Sequence, residues 1–377
     1  MIRTAPAAVA VANPPTPMEH HRFHFLDALR GIAAVLVVFR HAPQIFQRGL
    51  YTRNSYLAVD FFFCLSGFVV AFSYEGRLAS SMKFRDFAVA RIIRLMPIAI
   101  LGAAIGAIEL GRDRYLVGHL FIGRLAGLFL MNSVMLPHLP KEMFPLDEVM
   151  WSLWVELIAN FAYAALVRVR LAGTGLLFGI SFLSFVGLAY ERKVHGTFDL
   201  GYAPANAHVG LLRVGVSFFI GVLVLRLYRR WAPSRLHNRR AILAMLFVVG
   251  VLVFSLCNNA WFSGLAAVEM LTVVVVYPAI IYLGARAIPP SAFVAPCVVL
   301  GTVSYVVYIL HPPLLWFLGR HAVLQLGAAH PGLTRPTMLI YTAFIVALCW
   351  AVAHFYESPI HQWLSQTYRT RAVRRLA

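Results

Sequence analysis

Apolar stretches of about 20 residues, separated by charged or proline-containing breaks, recur along the chain from Phe25 almost to its C-terminus. A helix that crosses the hydrocarbon core of a membrane needs about 20 mostly apolar residues. The pattern therefore predicts an all-α fold, a polytopic transmembrane bundle of about ten helices. The predicted spans are 25–46, 55–75, 95–111, 151–167, 171–190, 209–225, 241–257, 264–284, 297–318 and 337–356.

The composition agrees with a membrane protein. The 377 residues are 60% apolar and only 13% charged, and the net charge is +18. The basic residues form short clusters between the predicted spans and no continuous basic face, which favours a membrane-orientation signal over a nucleic-acid surface. We therefore expect the lipid bilayer as the protein's environment and no nucleic-acid partner.

The distribution of Lys and Arg predicts the orientation of the bundle. With the N-terminus in the cytoplasm, the inner segments hold about twice as many Lys and Arg residues as the outer ones. Both termini are then cytoplasmic, provided that the interrupted apolar segment 116–136 is re-entrant or interfacial. The expected organisation is a disordered tail at 1–22, a membrane-embedded domain at 23–359 and a basic cytoplasmic tail at 360–377.

The first predicted span carries charged and titratable side chains. Arg30 and His41 are eleven positions apart, which corresponds to three helical turns plus about 20° and a rise of about 16 Å. They share one face of the helix, with Asp27 next to Arg30. Ionisable side chains cost about 2.5–3.5 kcal/mol each inside a membrane and are candidates for a functional site. An alternative is that each side chain only anchors one end of the helix at an interface.

Further polar patterns follow on other spans, and together they identify a family resemblance. In chain order the patterns are LDALRGIAAVLVVFRHA with Arg-x10-His, VDFFFCLSGFVV, RIIRLMP, WSLWVE from Trp151, SYVVYILH ending at His311, and Tyr-Glu-x-Pro at 356–359. The chain resembles acyltransferase family 3 of membrane proteins over nearly its whole length. Arg40, directly before His41, departs from the apolar residue expected there and points off the shared face by about 100°.

The resemblance implies a membrane-bound O-acyltransferase. Its expected donor is cytoplasmic acyl-CoA, most commonly acetyl-CoA, and its expected acceptor is a hydroxyl of a carbohydrate or glycoconjugate, with a macrolide-type small molecule as the alternative acceptor. No metal is expected. The expected location is the bacterial inner membrane, and the oligomeric state is not predicted.

Acyl transfer to a hydroxyl needs a base and groups that stabilise the developing oxyanion. We expect His41 to be the general base, with a covalent acyl-His intermediate as the less favoured route. Arg30 and Asp27 are expected to orient the site or bind the donor. Glu156 is expected to hold the imidazole, provided that the fold brings the fourth span beside the first.

Arg91 and Arg94 are expected to bind the phosphates of acyl-CoA at the cytoplasmic mouth; the alternative is that they serve only orientation in the membrane. Other candidates are expected to line the substrate site, and the alternatives for them are helix packing or an interfacial aromatic belt. These lining candidates are Ser66, Gly67, Trp151, Ser152, Tyr305, Tyr308 and His311. Arg213 and Glu269, which lie outside the motifs, are expected to neutralise one another.

Two other classes of protein remain possible from the residues alone. A transporter or flippase of a lipid-linked sugar would also place charged residues and prolines inside the membrane. The absence of a recognisable internal repeat counts mildly against it. A non-catalytic scaffold gives no reason for six polar motifs in this order.

Overall fold

The computed structural model describes residues 23–41, 52–116, 122–138, 142–231, 234–257, 265–319 and 334–374. Within these ranges the regular structure is helical, apart from one isolated β-bridge between Leu236 and Ala287. The first six helices are α1 (His24–His41), α2 (Ala58–Ser80), α3 (Phe84–Leu116), α4 (Ile122–Ser133), α5 (Met150–Arg168) and α6 (Thr174–His195). The next four are α7 (Ala207–Trp231), α8 (Asn238–Leu256), α9 (Ala266–Arg286) and α10 (Ser291–Gly319). Helix α11 consists of Thr334–Val352, a π-helical turn at Ala353–Glu357 and Ser358–Arg374.

The polytopic helical bundle predicted from the sequence is confirmed. Nine helices of the described chain, α2, α3 and α5 to α11, are long and apolar enough to cross a membrane. Helix α1 has 18 residues, three of which are the charged Asp27, Arg30 and Arg40. It packs along α10 more extensively than any other pair of helices packs together. Because α10 is one of these nine helices, we treat α1, which lies along it, as a tenth crossing.

Helices α1 and α10 run parallel, so the number of crossings between them must be odd. Near the start of α1, Arg30 donates to the backbone oxygen of Gly301, whereas at its end His41 contacts His311. Parallel helices require an odd number of crossings between them, and α2, α3 and α5 to α9 are seven. Helix α4 has 12 residues and is about 18 Å long, too short to cross. The described part of 116–136 therefore does not span, as the sequence predicted.

We call the side of the bundle where α1 begins the arginine side and the side where it ends the histidine side. The C-terminal part of α11 returns to the arginine side, where the Tyr368 hydroxyl donates to Asp86 at the start of α3. The two ends of the described chain therefore lie on the same side. The assignment of that side to the cytoplasm stays a prediction.

The segment after residue 359, expected to be a basic cytoplasmic tail, is helical as far as it is described. Helix α11 continues through its π-helical turn to Arg374, and Pro359, which has no backbone N–H to donate, is the second residue after that turn. The segment 360–374 is thus part of the last helix. The expected tail at 1–22 lies outside the described residues.

Gly67, which was expected to line the substrate site, lies at the contact between α2 and α7. A Cβ atom at Gly67 of α2 would lie 1.9 Å from the backbone oxygen of Phe218 on α7, and one at Gly221 of α7 would lie 1.9 Å from that of Cys64 on α2. The two glycines let the helix backbones touch, as small residues commonly do in membranes.

The predicted neutralisation of Arg213 by Glu269 is wrong. Arg213, which is 1% exposed, forms a bidentate pair with Asp60 of α2, with its Nη2 atom 2.6 Å from Oδ2. Glu269 instead accepts from Arg192 at 2.6 Å and from the Tyr56 hydroxyl. The helix packing brings a separate partner to each charge, which the sequence order does not reveal.

Candidate active site

Two histidines meet where α1 and α10 reach the histidine side. The Nδ1 atom of His41 lies 3.1 Å from the Nε2 atom of His311 and 3.0 Å from the backbone oxygen of Val37, one turn earlier in α1. The Nδ1 atom of His311 lies 3.0 Å from the backbone oxygen of Val307. His311 is fully buried, whereas the His41 side chain is 16% exposed.

These contacts assign the tautomers of both rings in their neutral forms. A carbonyl oxygen only accepts hydrogen bonds, so His311 carries its proton on Nδ1 and its Nε2 atom is an acceptor. The proton of His41 then lies on Nδ1, shared between Val37 and His311. This assignment leaves the lone pair of His41 on Nε2, the nitrogen that lies 3.5 Å from Oε1 of Glu148. A base needs such an available lone pair.

His41 and Glu148 line a cavity of about 780 Å³, which we call the histidine cavity. Its walls come from α1, α2, α3, α5, α7, α10 and the segments before α2, α5 and α7. The other polar and aromatic residues of its lining are Arg40, Ser55, Tyr56, Glu109, Glu142, Phe144, Asp147, Trp151, Asp199, Tyr202, Arg213, Tyr308 and Trp316. The volume is sufficient for a small organic ligand.

The arginines of the histidine cavity are already paired. Arg40 forms an ion pair with Asp199, and Arg213 pairs with Asp60. Glu109 and Asp147, both more than nine-tenths buried, each have one carboxyl oxygen without a hydrogen-bond partner in the described structure. Among its described residues, the lining thus holds more acidic than basic side chains. Burial raises the pKa of Asp147 well above its usual range, and the neighbouring Glu148 charge raises it further.

A second cavity, of about 130 Å³, opens among the polar residues of the arginine side; we call it the arginine cavity. Its polar lining consists of Arg30, Ser66, Arg91, Arg94, Ser152, Glu156, Ser304, Tyr305 and Tyr308. Apolar residues of α2, including Phe62 and Phe63, complete the wall. The structure thus brings together residues of five separate sequence motifs.

The carboxylate beside His41 is Glu148, so the predicted pairing of His41 with Glu156 is wrong. Glu156 accepts from Ser66 at 2.6 Å and from Arg91 at 3.2 Å in the arginine cavity. Glu148 lies two residues before α5, whereas Glu156 lies within that helix. Their side chains consequently line different cavities, Glu148 the histidine cavity and Glu156 the arginine cavity. Arg94 pairs with Glu357 and lies over the ring of Tyr305.

The two cavities share only Val59 and Tyr308 in their linings. The Tyr308 hydroxyl is 2.7 Å from Oγ of Ser152, which donates to the backbone oxygen of Val149 at 2.9 Å. Because the Ser152 proton is used there, Tyr308 donates to Ser152. This hydrogen bond stands between the arginine side and the histidine side.

The comparisons with known proteins decide the family. The family model described as an acyltransferase domain matches residues 23–354. The chain belongs to acyltransferase family 3. It is 34% identical over 186 residues to "Protein 2 in picA locus" of Rhizobium radiobacter, covering 45% of this chain and 96% of that protein.

A second relative has a name that describes a chemistry. The chain is 27% identical over 324 residues to ORF330 of Acidianus two-tailed virus, provisionally named an acetyltransferase, covering 83% of this chain and 89% of that protein. No solved structure gives a significant match to the chain. Family membership favours acyl transfer over the transporter and the scaffold.

The acyltransferase keeps Arg30 and His41 at opposite ends of one helix interface. Arg30 donates to Ser304 at 2.7 Å and to the backbone oxygen of Gly301 at 2.9 Å, and Asp27 lies 3.6 Å from it. Arg30 is therefore fixed on α10 at the edge of the arginine cavity. His311 was predicted to line the substrate site, but it lines neither cavity and lies behind His41, because its ring is turned into the α1–α10 interface.

Sequence reasoning missed Glu148, Asp60 and Asp199. Glu148 stands three residues before the Trp151 motif, at the predicted start of a span, where a lone acid gives no signal of a partner. Asp60 lies within the second predicted span, and a carboxylate inside a span is by itself a signal for an ion pair. The roles predicted for the site residues remain predictions.

Proposed function

We propose that this acyltransferase transfers an acyl group, most commonly acetyl, from acyl-CoA to a hydroxyl of a carbohydrate or glycoconjugate, with His41 as the general base. The acceptor oxygen attacks the thioester carbonyl while its proton passes to Nε2 of His41. The carbon–sulfur bond then breaks, and the protonated imidazole returns the proton to the departing CoA thiolate. Electrons and protons balance without a metal or an additional reactant.

The observation that carries this proposal is the setting of His41. Its Nδ1 atom is held by Val37 and His311, and the ring lies on the wall of the 780 Å³ histidine cavity. A fixed ring with one nitrogen facing a cavity has the geometry of a general base. A side chain that only anchors a helix end needs neither contact.

The arginine cavity supports acyl-CoA as the donor. Arg30, Arg91 and Arg94 line it, and a guanidinium has five donors, so one carboxylate partner leaves others for phosphate oxygens. With the arginine side in the cytoplasm, the donor reaches it from the compartment that contains coenzyme A. The acyl group then passes Tyr308 to reach His41.

The histidine cavity supports a polyhydroxyl acceptor that carries no anionic group. Carboxylates accept hydrogen bonds from hydroxyls, and Trp151, Trp316 and Tyr202 offer aromatic faces. Its acidic lining would repel a uronate or a phosphate at close range. A neutral or amine-bearing sugar suits the cavity better. A macrolide-type small molecule, which also carries hydroxyls, is the alternative acceptor.

The test uses the purified full chain in detergent with acetyl-CoA and a panel of oligosaccharides that are neutral, amine-bearing or uronate-containing. We expect thiol release to depend on a neutral or amine-bearing acceptor, and His41→Ala to abolish it. His354→Ala is the matched control, because His354 is an exposed histidine in α11. Full turnover by His41→Ala would overturn the mechanism, and a preference for uronates would overturn the acceptor class.

A further inference from the structure

We propose that Glu148 is the carboxylate that stabilises the protonated form of His41, and that Gly102 and Gly106 of α3 hold it in place. This inference rests on the proposed function of His41 as a base. It adds a positioning device that no sequence motif indicated, since Glu148 lies outside the six patterns. We call residues 142–149 the acidic loop, after its Glu142, Asp147 and Glu148.

Glu148 faces the nitrogen that would accept the proton. Its Oε1 atom lies 3.5 Å from Nε2 of His41, while Nδ1 of the same ring is held by Val37 and His311. When Nε2 takes a proton, the new N–H points to a carboxylate. Both ring nitrogens of the imidazolium are then donors with an acceptor each, which is the arrangement that a charged histidine needs.

The other charged groups near His41 do not replace Glu148. Arg40, the next residue in α1, is in an ion pair with Asp199 of the segment before α7, so these two charges largely cancel. The Arg40 guanidinium also lies 5.2 Å from the centre of the Tyr56 ring. His311 of α10 is buried, and its Nε2 atom already accepts from His41. Among the described residues, the negative charge closest to Nε2 that has no cation paired with it is therefore that of Glu148.

Two glycines on one face of α3 seat the acidic loop. A Cβ atom at Gly106 would lie 1.9 Å from the backbone oxygen of Leu146, and one at Gly102 would lie 2.9 Å from Oδ2 of Asp147. The glycines are four residues apart and so stand one above the other on the helix. The loop thus rests directly on α3 through the backbone of Leu146 and the side chain of Asp147, the two residues before Glu148.

Hydrogen bonds inside the acidic loop make this seat rigid. The backbone N–H of Asp147 donates to Phe144, and that of Met150 donates to Asp147, at 3.2 and 3.1 Å. The N–H of Val149 also approaches Oδ1 of Asp147 at 3.4 Å. The backbone is therefore hydrogen-bonded on both sides of Glu148, at Asp147 and at Met150. This places the Glu148 carboxylate near His41, although the side chain is 46% exposed.

The test measures how readily diethyl pyrocarbonate modifies His41 at different pH values, read by mass spectrometry on the purified full chain. Only the unprotonated imidazole reacts. We expect Glu148→Gln to move the midpoint of modification to lower pH by about half a unit to one unit, since it removes one attractive charge. Glu142→Gln is the control, because Glu142 lies on the same loop and lines the same cavity.

Gly106→Ala tests the seat. The clash with Leu146 should displace the loop and shift the pH midpoint of His41 modification in the same direction as Glu148→Gln does. In Glu148→Gln the side chain keeps its shape, so the folding of that variant is not at risk. A Glu148→Gln midpoint equal to that of wild type would overturn the inference. This measurement uses no substrate, so it separates the two proposals. If the midpoint of Glu148→Gln shifted as expected while His41→Ala kept full turnover, only the proposed function would be refuted.

A kinetic measurement distinguishes stabilisation of the imidazolium from a structural role. In Glu148→Gln the acid limb of the kcat/KM profile should move to lower pH together with the modification midpoint, and turnover at neutral pH should fall by about tenfold. A loss of turnover without movement of the acid limb would contradict the inference.

Discussion

The Nδ1 atom of His41 lies 3.1 Å from the Nε2 atom of His311, although 270 residues separate them in the chain. The contact closes the histidine end of the α1–α10 interface, as the bond from Arg30 to Ser304 closes the arginine end. His311 can act on the reaction only through His41, because its own Nδ1 atom is occupied by Val307. It is therefore a positioning residue.

His311→Phe should lower kcat by about tenfold or more, because it removes the acceptor that fixes the His41 tautomer. His311→Gln should retain more activity, since its amide oxygen can accept the same hydrogen bond. Thiol release from acetyl-CoA with both purified variants measures the difference. If the kcat of His311→Phe lay within twofold of the wild-type value, the tautomer assigned to His41 would have no role in the reaction.

Replacing both Arg91 and Arg94 by Gln should raise the Kd for acetyl-CoA by about tenfold or more, because charge-assisted hydrogen bonds to phosphate are lost. Calorimetry on the purified protein gives the value. Arg168→Gln is the control: Arg168 is an exposed basic residue on the same side that donates to Leu78. An unchanged Kd in the double variant would show that the two arginines serve only orientation and packing.

Arg213→Gln should lower the free energy of unfolding by about 3–5 kcal/mol, because it leaves the carboxylate of Asp60 buried without its cation. Adding Asp60→Asn should recover part of that loss. Thermal denaturation in detergent reports both effects. Arg229→Gln is the matched control, because Arg229 also forms an ion pair, with Glu75, but its side chain is 46% exposed. The Tm of this variant should barely change.

Relative to wild type, Asp147→Asn should become progressively more stable as the pH rises. Burial raises the pKa of Asp147 in the folded state, so the folded protein retains a proton that the unfolded chain has already released. The stability that this proton provides is complete below the ordinary Asp range and is lost as pH rises through the raised pKa. Asparagine keeps the neutral form at every pH.

The measurement is the difference in Tm between Asp147→Asn and wild type, taken from acidic to mildly alkaline pH. The difference should grow in favour of the variant as the pH rises. A difference that shrinks with pH would mean that the Asp147 carboxylate is charged in the folded protein.

The sequence by itself determined the crossings and the family. Both depend on local information, because the length of an apolar run fixes whether a helix can span and because motifs such as Arg-x10-His keep their spacing along one helix. The face shared by Arg30 and His41 followed from helical geometry alone. That face is the one which packs on α10.

The tertiary structure decided the partners. Glu148 rather than Glu156 stands beside His41, Asp60 rather than Glu269 pairs with Arg213, and Tyr308 lies between two cavities. These contacts join residues far apart in the sequence, and they depend on which helices lie side by side. Close approaches at Gly67 and Gly106 set those neighbours, and helical periodicity carries no information about them.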